Sequence, residues 1–342
     1  MNSKIIKFVA GAGKTTYSKR LMSRVKNGLY LAFTNSVIDD MNRYPFIART
    51  IDSIFISYII PKFVDLIPII NSSSNIVFSD SNNGLLTAKT ASNISMDKDG
   101  NLYNKTKKIG SVNLLTSNKD LHNSGYYPNS DSLKYIFGEE KTRFTHLQRA
   151  QISEYIIHNY PNELISILKK RFSFIIIDEA QDLSDYREVF CKLLYESDIK
   201  TRLLGDDNQN INGGGMWFEN LEADKVQNKT FRCPESICKW VRENLDIVIY
   251  GNDNVATFNQ IMFEDVKKLD DGKCVLLYKG RYSRITNLID NWSGNVMTIQ
   301  SAKGMTIYSD IVILGDSLNQ KIYYTAITRT TQSVYSTVKK IN

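Results

Sequence analysis

Lys4-Ile5-Ile6-Lys7-Phe8-Val9-Ala10 runs straight into Gly11-Ala12-Gly13-Lys14-Thr15-Thr16. The first seven residues are largely apolar and β-prone, and Thr15–Val25 can form a helix, so the glycines fall in a strand-to-helix turn. Small residues there let backbone N–H groups approach phosphate oxygens, and the helix N-terminus adds positive potential. In a P-loop of this kind Lys14 reaches the β- and γ-phosphates and the Thr15 hydroxyl ligates Mg²⁺. The full pattern wants glycine five positions before Gly13, where Phe8 stands. An accidental Gly-rich turn is the competing reading, and the strand-turn-helix context weighs against it.

Outward from this turn the chain alternates. Strands are expected at Leu29–Phe33 and Ala48–Ile51, with a short helix at Ile38–Arg43 between them. Such alternation implies a parallel α/β sheet. From about 56 to 145 the character changes to Ser, Asn, Lys and Asp without sustained period, which reads as an inserted subdomain of loops with a weak β-hairpin around Asp97–Tyr103. Helical periodicity returns at Phe144–Tyr160 and Asn162–Lys170. Phe174–Ile177 is an unbroken apolar run, the mark of a buried parallel strand. A helix at Tyr186–Tyr195 and a strand at Thr201–Gly205 follow. A second α/β unit is expected after about residue 225. Its helices are Pro234–Leu245 and Lys321–Thr328, and its strands are Lys273–Tyr278, Asn295–Thr298, Asp310–Leu314 and Ser333–Val338.

The strand at Phe174–Ile177 ends in Asp178-Glu179-Ala180-Gln181-Asp182. Ligands of open parallel sheets bind at the carboxyl ends of the strands, where these carboxylates sit. Asp178 can hold Mg²⁺ and Glu179 can orient and deprotonate an attacking water. An acidic helix cap after a core strand is the plainer alternative, and the P-loop upstream favours the chemical one.

The 342 residues suit two domains of ordinary size. Hydrophobic residues at 42% and charged residues at 23% exclude global disorder. A net charge of +7 points to a polyanionic partner only when joined to other signs. Cys191, Cys233, Cys238 and Cys274 form no CxxC pair, and His122, His146 and His158 share no metal spacing with them, so reduced structural thiols are expected. No apolar run reaches the ~20 residues that span a bilayer, and Gly11 and Lys14 interrupt any signal-like stretch. The expectation is a soluble intracellular protein: cytoplasmic, or in the host cytoplasm or nucleus if viral.

Asp178-Glu179-Ala180-Gln181-Asp182 resembles the nucleotide-binding motif of UvrD/Rep-type superfamily 1 helicases, and further segments follow in that family's order. Leu31-Ala32-Phe33-Thr34-Asn35-Ser36 resembles the segment that contacts single-stranded DNA. Thr50-Ile51-Asp52-Ser53-Ile54-Phe55 resembles the next, with Asp52 where the family usually has His. Leu204-Gly205-Asp206-Asp207-Asn208-Gln209-Asn210-Ile211 resembles the coupling motif and Thr230-Phe231-Arg232-Cys233-Pro234 the Tyr-Arg-Ser element. Met297-Thr298-Ile299-Gln300-Ser301-Ala302-Lys303-Gly304 resembles Thr-x-His-x-x-Lys-Gly, and Tyr323-Tyr324-Thr325-Ala326-Ile327-Thr328-Arg329 the final arginine motif.

The resemblance implies two RecA-like P-loop NTPase domains, 1–224 with the insertion at about 56–145, and 225–342. It implies an ATP- and Mg²⁺-dependent DNA helicase or single-strand translocase, monomeric, stepping 3′→5′, with replication or repair proteins as further partners. Gly11, Ala12, Gly13, Lys14, Thr15 and Thr16 would cradle the nucleotide, with Thr15 and Asp178 toward the metal. Gln209, Arg232 and Arg329 would stabilise charge on the γ-phosphate beside Lys14 and Glu179. Phe231 would stack on the base, a core aromatic being the alternative. Arg20 could assist at the base or be an ordinary helix-surface arginine. Phe33 and Trp217 would stack on a nucleic-acid strand, Trp217 in an altered register after Gly213-Gly214-Gly215. Thr34, Asn35, Ser53, Thr298 and Lys303 would contact phosphates, with a solvated lysine as the rival reading of Lys303.

Three departures accompany the resemblance. Only a handful of residues precede the P-loop, where the family reads adenine, so other nucleoside triphosphates stay open as substrates. The family's Lys-Gly-Leu-Glu is Lys303-Gly304-Met305-Thr306 here. About seventy residues separate Arg232 from Lys303, so the family's large second-domain insertion is absent. An RNA helicase, and an accessory protein with a decayed motor, remain as alternatives.

Overall fold

The computed structural model describes residues 4–33, 38, 41, 46–63, 78–80, 86–88, 94–96, 101–104, 107–111, 146–211 and 213–342. In chain order the first elements are β1 (Lys4–Phe8), α1 (Lys14–Met22), β2 (Gly28–Ala32) and β3 (Ile47–Thr50). Five short strands follow: β4 (Phe78–Asp80), β5 (Leu86–Ala88), β6 (Ile94–Met96), β7 (Asn101–Asn104) and β8 (Lys107–Ser111). Next are α2 (His146–Asn159), α3 (Pro161–Arg171), β9 (Phe174–Ile177), α4 (Asp185–Glu196), β10 (Lys200–Gly205) and β11 (Lys225–Gln227). Then come β12 (Lys229–Pro234), α5 (Glu235–Leu245), β13 (Tyr250–Asn252), β14 (Phe258–Gln260), β15 (Cys274–Tyr278), α6 (Ser283–Asp290), β16 (Val296–Thr298), α7 (Ile299–Ala302), β17 (Asp310–Leu314), β18 (Ser317–Leu318), α8 (Gln320–Ile327), β19 (Val334–Ser336) and β20 (Lys340–Ile341).

Two compact units emerge. The first comprises 1–48, 172–184 and 198–342; the second comprises 49–171 and 185–197. The first unit holds two parallel sheets. One has the order β11-β1-β10-β9-β2-β3 and the other β14-β19-β17-β15-β16. Registers such as Ile5 opposite Leu203 and Leu29 opposite Ile175 align strands drawn from distant parts of the chain. β9 and β2 are buried along their whole length, as the unbroken Phe-Ile-Ile-Ile run predicts for a strand covered on both faces.

The alternation of β15 distributes its side chains between two cores. Val275 and Leu277 join a cluster that also contains Ile6 and Phe8 of β1, Ile176 of β9, and Tyr323 and Tyr324 of α8. Cys274, Leu276 and Tyr278 point the other way, against Ile285 and Leu288 of α6. One apolar cluster therefore runs through both sheets of this unit. The four cysteines are all free and buried. No helix among the described residues is long and apolar enough to cross a membrane.

In the second unit β4 to β8 form one antiparallel sheet in sequential order. The expected hairpin is the β6–β7 pair, with Met96 opposite Leu102; its turn residues, 97–100, lie outside the described residues. Strands of three to five residues in a Ser- and Asn-rich stretch show too little alternation to be read, so the sequence presents loops where a meander exists. Elsewhere in this unit an α–π–α run (Ile51–Ile54, Phe55–Ile59, Ile60–Phe63) packs by edge-on aromatic contacts, Phe55 lying 5.4 Å from Tyr186 and 4.8 Å from Phe190. Asp52 accepts hydrogen bonds from Arg187 Nε at 2.7 Å and Nη2 at 2.8 Å.

Candidate nucleotide-binding site

The loop between β1 and α1 turns on Gly11 at φ 71° and Gly13 at φ 81°. Both need the left-handed backbone that only glycine adopts without penalty. Space is a second constraint: a Cβ on Gly11 would come within 2.6 Å of Arg232 Cβ and of Thr230 Oγ1. β12 thus passes hard against the loop, and Phe231 N–H donates to the Gly11 carbonyl at 2.9 Å. α1 begins at Lys14 with no side-chain cap, leaving first-turn N–H groups for other acceptors.

Lys14 Nζ lies 2.8 Å from Asp178 Oδ1 and 2.6 Å from Glu179 Oε1. The Tyr30 hydroxyl donates to the other Asp178 oxygen. Glu179 occupies the left-handed region at φ 54°, an uncommon conformation for a side chain of its size. Burial opposes charge on all three groups, but the two carboxylates outweigh it at Lys14, whose ammonium is held more firmly than usual. Burial likewise pushes Asp178 above the usual carboxylate range against the pull of Lys14. At Glu179 burial is overcome by Lys14 and then Lys303, and the pKa falls to about 2. Two adjacent carboxylates are thereby driven apart in acidity.

A second layer joins this trio to the other sheet. Gln181 donates to Glu179 Oε2 at 2.6 Å and accepts the Asp206 N–H at 3.1 Å. Asp206 Oδ2 accepts from Gln209 at 2.7 Å and from the Tyr324 hydroxyl at 3.2 Å. The Tyr324 oxygen in turn accepts the Ala10 N–H, beside the P-loop, at 3.1 Å. Arg329 is 1% exposed and donates to the Thr325 carbonyl at 2.8 Å. Burial, with Arg232 nearby, lowers its pKa to about 10, which leaves it charged at neutral pH. Arg232 donates to Thr306 Oγ1 at 2.9 Å and to the Thr328 carbonyl at 3.2 Å.

A cleft of about 330 Å³ is bordered by Gly11, Ala12, Gly13, Lys14, Thr15, Glu179, Gln209, Phe231, Arg232 and Arg329. Tyr308, Thr306 and Asp206 also border it. Phe231 is 66% exposed, with its ring 3.4 Å from where a Gly13 Cβ would stand, so it is not a core aromatic. Asp178 stands behind the cleft at Lys14. Thr16 and Arg20 are exposed on α1 and do not border it.

The expected nucleic-acid residues are dispersed. Phe33 is half-buried just past β2, and Trp217 is half-buried beside the buried Phe218. Thr34 and Asn35 lie outside the described residues. Ser53, in the second unit, donates its N–H to Thr50 Oγ1 at 3.1 Å. Thr298 caps α7 by accepting the Ser301 N–H at 3.0 Å. Lys303 is turned inward, onto Asp182 and the Gln209 carbonyl.

Sequence reasoning overlooked Tyr324, Asp206, Gln181, Tyr30, Thr306 and Tyr308. Tyr324 and Asp206 stand inside recognised motifs, yet nothing local signals that a tyrosine and a carboxylate 118 positions apart will meet.

Residues 46–213 match the family model described as UvrD/REP helicase N-terminal domain. The match agrees with the resemblance to UvrD-type superfamily 1 helicases over those residues, and the described residues hold two parallel sheets flanked by helices. Among curated proteins no sequence matches. Solved structures similar to this chain include the PRRSV helicase at 13% identity and TM-score 0.46, covering 98% of this chain and 52% of that one. Arterivirus nonstructural protein 10 (helicase) is similar at 13% identity and TM-score 0.48, covering 98% and 59%. A complex of that arterivirus helicase with DNA is similar at 12% identity and TM-score 0.47, covering 98% and 60%. This chain therefore spans about half to three-fifths of the length of those proteins.

Proposed function

We propose, from the likeness of residues 46–213 to the UvrD/REP helicase N-terminal domain, that this chain is a UvrD-type superfamily 1 helicase that couples ATP hydrolysis to 3′→5′ movement along single-stranded DNA. The observation that carries the reading is the convergence of Lys14, Glu179, Gln209, Arg232 and Arg329 on one 330 Å³ cleft. Such groups are what phosphoryl transfer requires: a cradle, a water-orienting carboxylate and positive charge at the transferred group.

In this reading the P-loop backbone and Lys14 bind the β- and γ-phosphates. Thr15 and Asp178 offer the oxygen donors a hard divalent cation takes, and Mg²⁺ held there would neutralise charge on the phosphate oxygens. Glu179 takes a proton from water as its oxygen attacks the γ-phosphorus in line, and the bond to the β-phosphate oxygen breaks to release ADP and phosphate. As Lys14 turns from Glu179 to phosphate, the main restraint on the Glu179 basicity is relieved. Gln209, Arg232 and Arg329 stabilise the charge that develops. The exposed Phe231 ring offers the base a stacking face. Phe33, Thr34, Asn35, Ser53, Trp217 and Thr298 remain proposed strand contacts; Thr16 and Arg20 are proposed as secondary nucleotide contacts. The division at 224/225 is kept as a functional one, although β11, immediately after it, pairs with β1.

The test is hydrolysis of ATP and of GTP, side by side, with and without single-stranded DNA or RNA oligomers. Glu179→Gln is expected to abolish turnover and leave nucleotide affinity within about threefold. Wild-type turnover by that variant, or no stimulation by any strand, would overturn the reading.

A further inference from the structure

Lys303 lies in a segment that resembles a nucleic-acid-contacting motif, yet its geometry serves another purpose. A lysine ammonium has three N–H donors. Here three acceptors surround it: Asp182 Oδ1 at 2.6 Å, Asp182 Oδ2 at 2.5 Å and the Gln209 carbonyl at 2.6 Å. The Lys303 and Asp182 side chains are 10% and 3% exposed. Its hydrogen-bonding capacity is spent inside the protein, out of reach of a phosphate in solvent.

The acceptors come from two different loops. Asp182 ends the short helix Ala180–Asp182 that directly follows Glu179, and Gln209 ends the short helix Asp207–Gln209 after β10. Lys303 comes from the second sheet, just beyond α7. Gln209 is also held by its side chain, which donates to Asp206 and accepts from Arg329 Nη2 at 3.0 Å. Fixing the Gln209 carbonyl therefore fixes the point from which its carboxamide reaches the arginine.

We infer that Lys303 is an intramolecular positioning residue that straps the loops after β9 and β10 together, and is not a contact to the strand. The inference rests on the nucleotide-hydrolysis reading of the cleft. A buried ion pair adds little net stability, but removing one partner strands the other charge. Loss of Lys303 should therefore leave Asp182 unpaired and disturb Glu179 and Gln209 together.

The test compares wild type, Lys303→Met, Asp182→Asn and the double variant. Steady-state ATP hydrolysis is measured at saturating oligothymidylate, and affinity for a fluorescein-labelled oligothymidylate is measured across a salt series. Expected for Lys303→Met is a kcat at least tenfold lower with KM for ATP within threefold, strand affinity within twofold, and an unchanged salt slope. The double variant should recover at least threefold in kcat over Lys303→Met, because the orphaned carboxylate is gone. Should Lys303→Met fail to fold, Asp182→Asn alone decides: a positioning pair predicts lower kcat at unchanged strand affinity. Strand affinity reduced fivefold or more by Lys303→Met, a log–log salt slope shallower by about 0.7, the release expected for one single-strand phosphate, or tighter binding by Asp182→Asn would each overturn the inference. If wild type hydrolyses no nucleotide, the proposed function fails, and the strand-binding arm still decides whether Lys303 touches nucleic acid.

Discussion

Arg329 donates a hydrogen bond from Nη2 to Gln209 Oε1 at 3.0 Å, joining side chains 120 positions apart at the edge of the cleft proposed to bind nucleotide. The same Gln209 amide donates to Asp206, so its orientation is determined from both ends. We predict that Arg329→Ala lowers kcat by about 10³ or more, the scale of an arginine that stabilises a transferring phosphoryl group. Gln209→Ala should cost less, roughly 10- to 100-fold, because the arginine keeps its bond to the Thr325 carbonyl. Steady-state kinetics at saturating ATP check the order, and equal losses would refute it.

Lys14 is the counter-ion of two carboxylates. Replacing it with Met leaves Asp178 and Glu179 without that partner, and we predict a loss of about 3 kcal/mol in urea unfolding at pH 7. Glu179 has a lowered pKa, so the stability it contributes is present above its unfolded value and lost as pH falls toward about 2. The gap between wild type and Lys14→Met should accordingly narrow below pH 4. A gap constant from pH 7 to pH 3 would contradict this account.

Asp206 behaves in the opposite sense. It is 4% exposed, and burial raises its pKa to about 6 against the pull of Gln209 and the Asn208 N–H. A carboxyl raised in the fold contributes stability that is complete below its unfolded pKa and lost as pH climbs through about 6. The cost of ionising it is about 3 kcal/mol by pH 7.5. Asp206→Asn, whatever its absolute melting temperature, should flatten the decline in Tm between pH 4.5 and 7.5. Parallel wild-type and variant profiles would remove Asp206 as the cause.

Phe231 is exposed at the cleft while its own backbone is tied to Gly11. Phe231→Ala should raise KM for ATP roughly 5- to 100-fold, matching the ~1–3 kcal/mol of a base–aromatic stack, with little change in Tm because no core packing is lost. KM for GTP should rise in parallel, since stacking does not read base identity. A fall in Tm at unchanged KM would assign the ring to packing.

The parts of this site legible in the sequence are those whose chemistry is local. Gly11, Gly13 and Lys14 announce themselves because a tight turn, a positive φ and a helix start fall within four residues. Asp178 and Glu179 are legible because an all-apolar strand has to end where they begin. The inward turn of Lys303 was not, since a lysine after a short helix looks the same whether it meets a phosphate or an aspartate 121 positions away. The antiparallel sheet of β4 to β8 was hidden for a different reason. Its strands are three to five residues long, too short for a period of two to register.

β1 occupies an interior place in its sheet, between β10 and β11. Its partners lie about 200 residues further along the chain. During synthesis the Lys4–Phe8 strand therefore precedes its partners by about 200 residues, with both edges open until β10 is made and one still open until residue 227 has followed. Unpaired apolar strands recruit wrong partners in that interval. A chain cut short before Lys225 keeps every residue of the first loop proposed to bind phosphate yet leaves β1 with one bare edge. The Gly11–Lys14 loop is thus made well before the strands that fix the β1 end from which it springs.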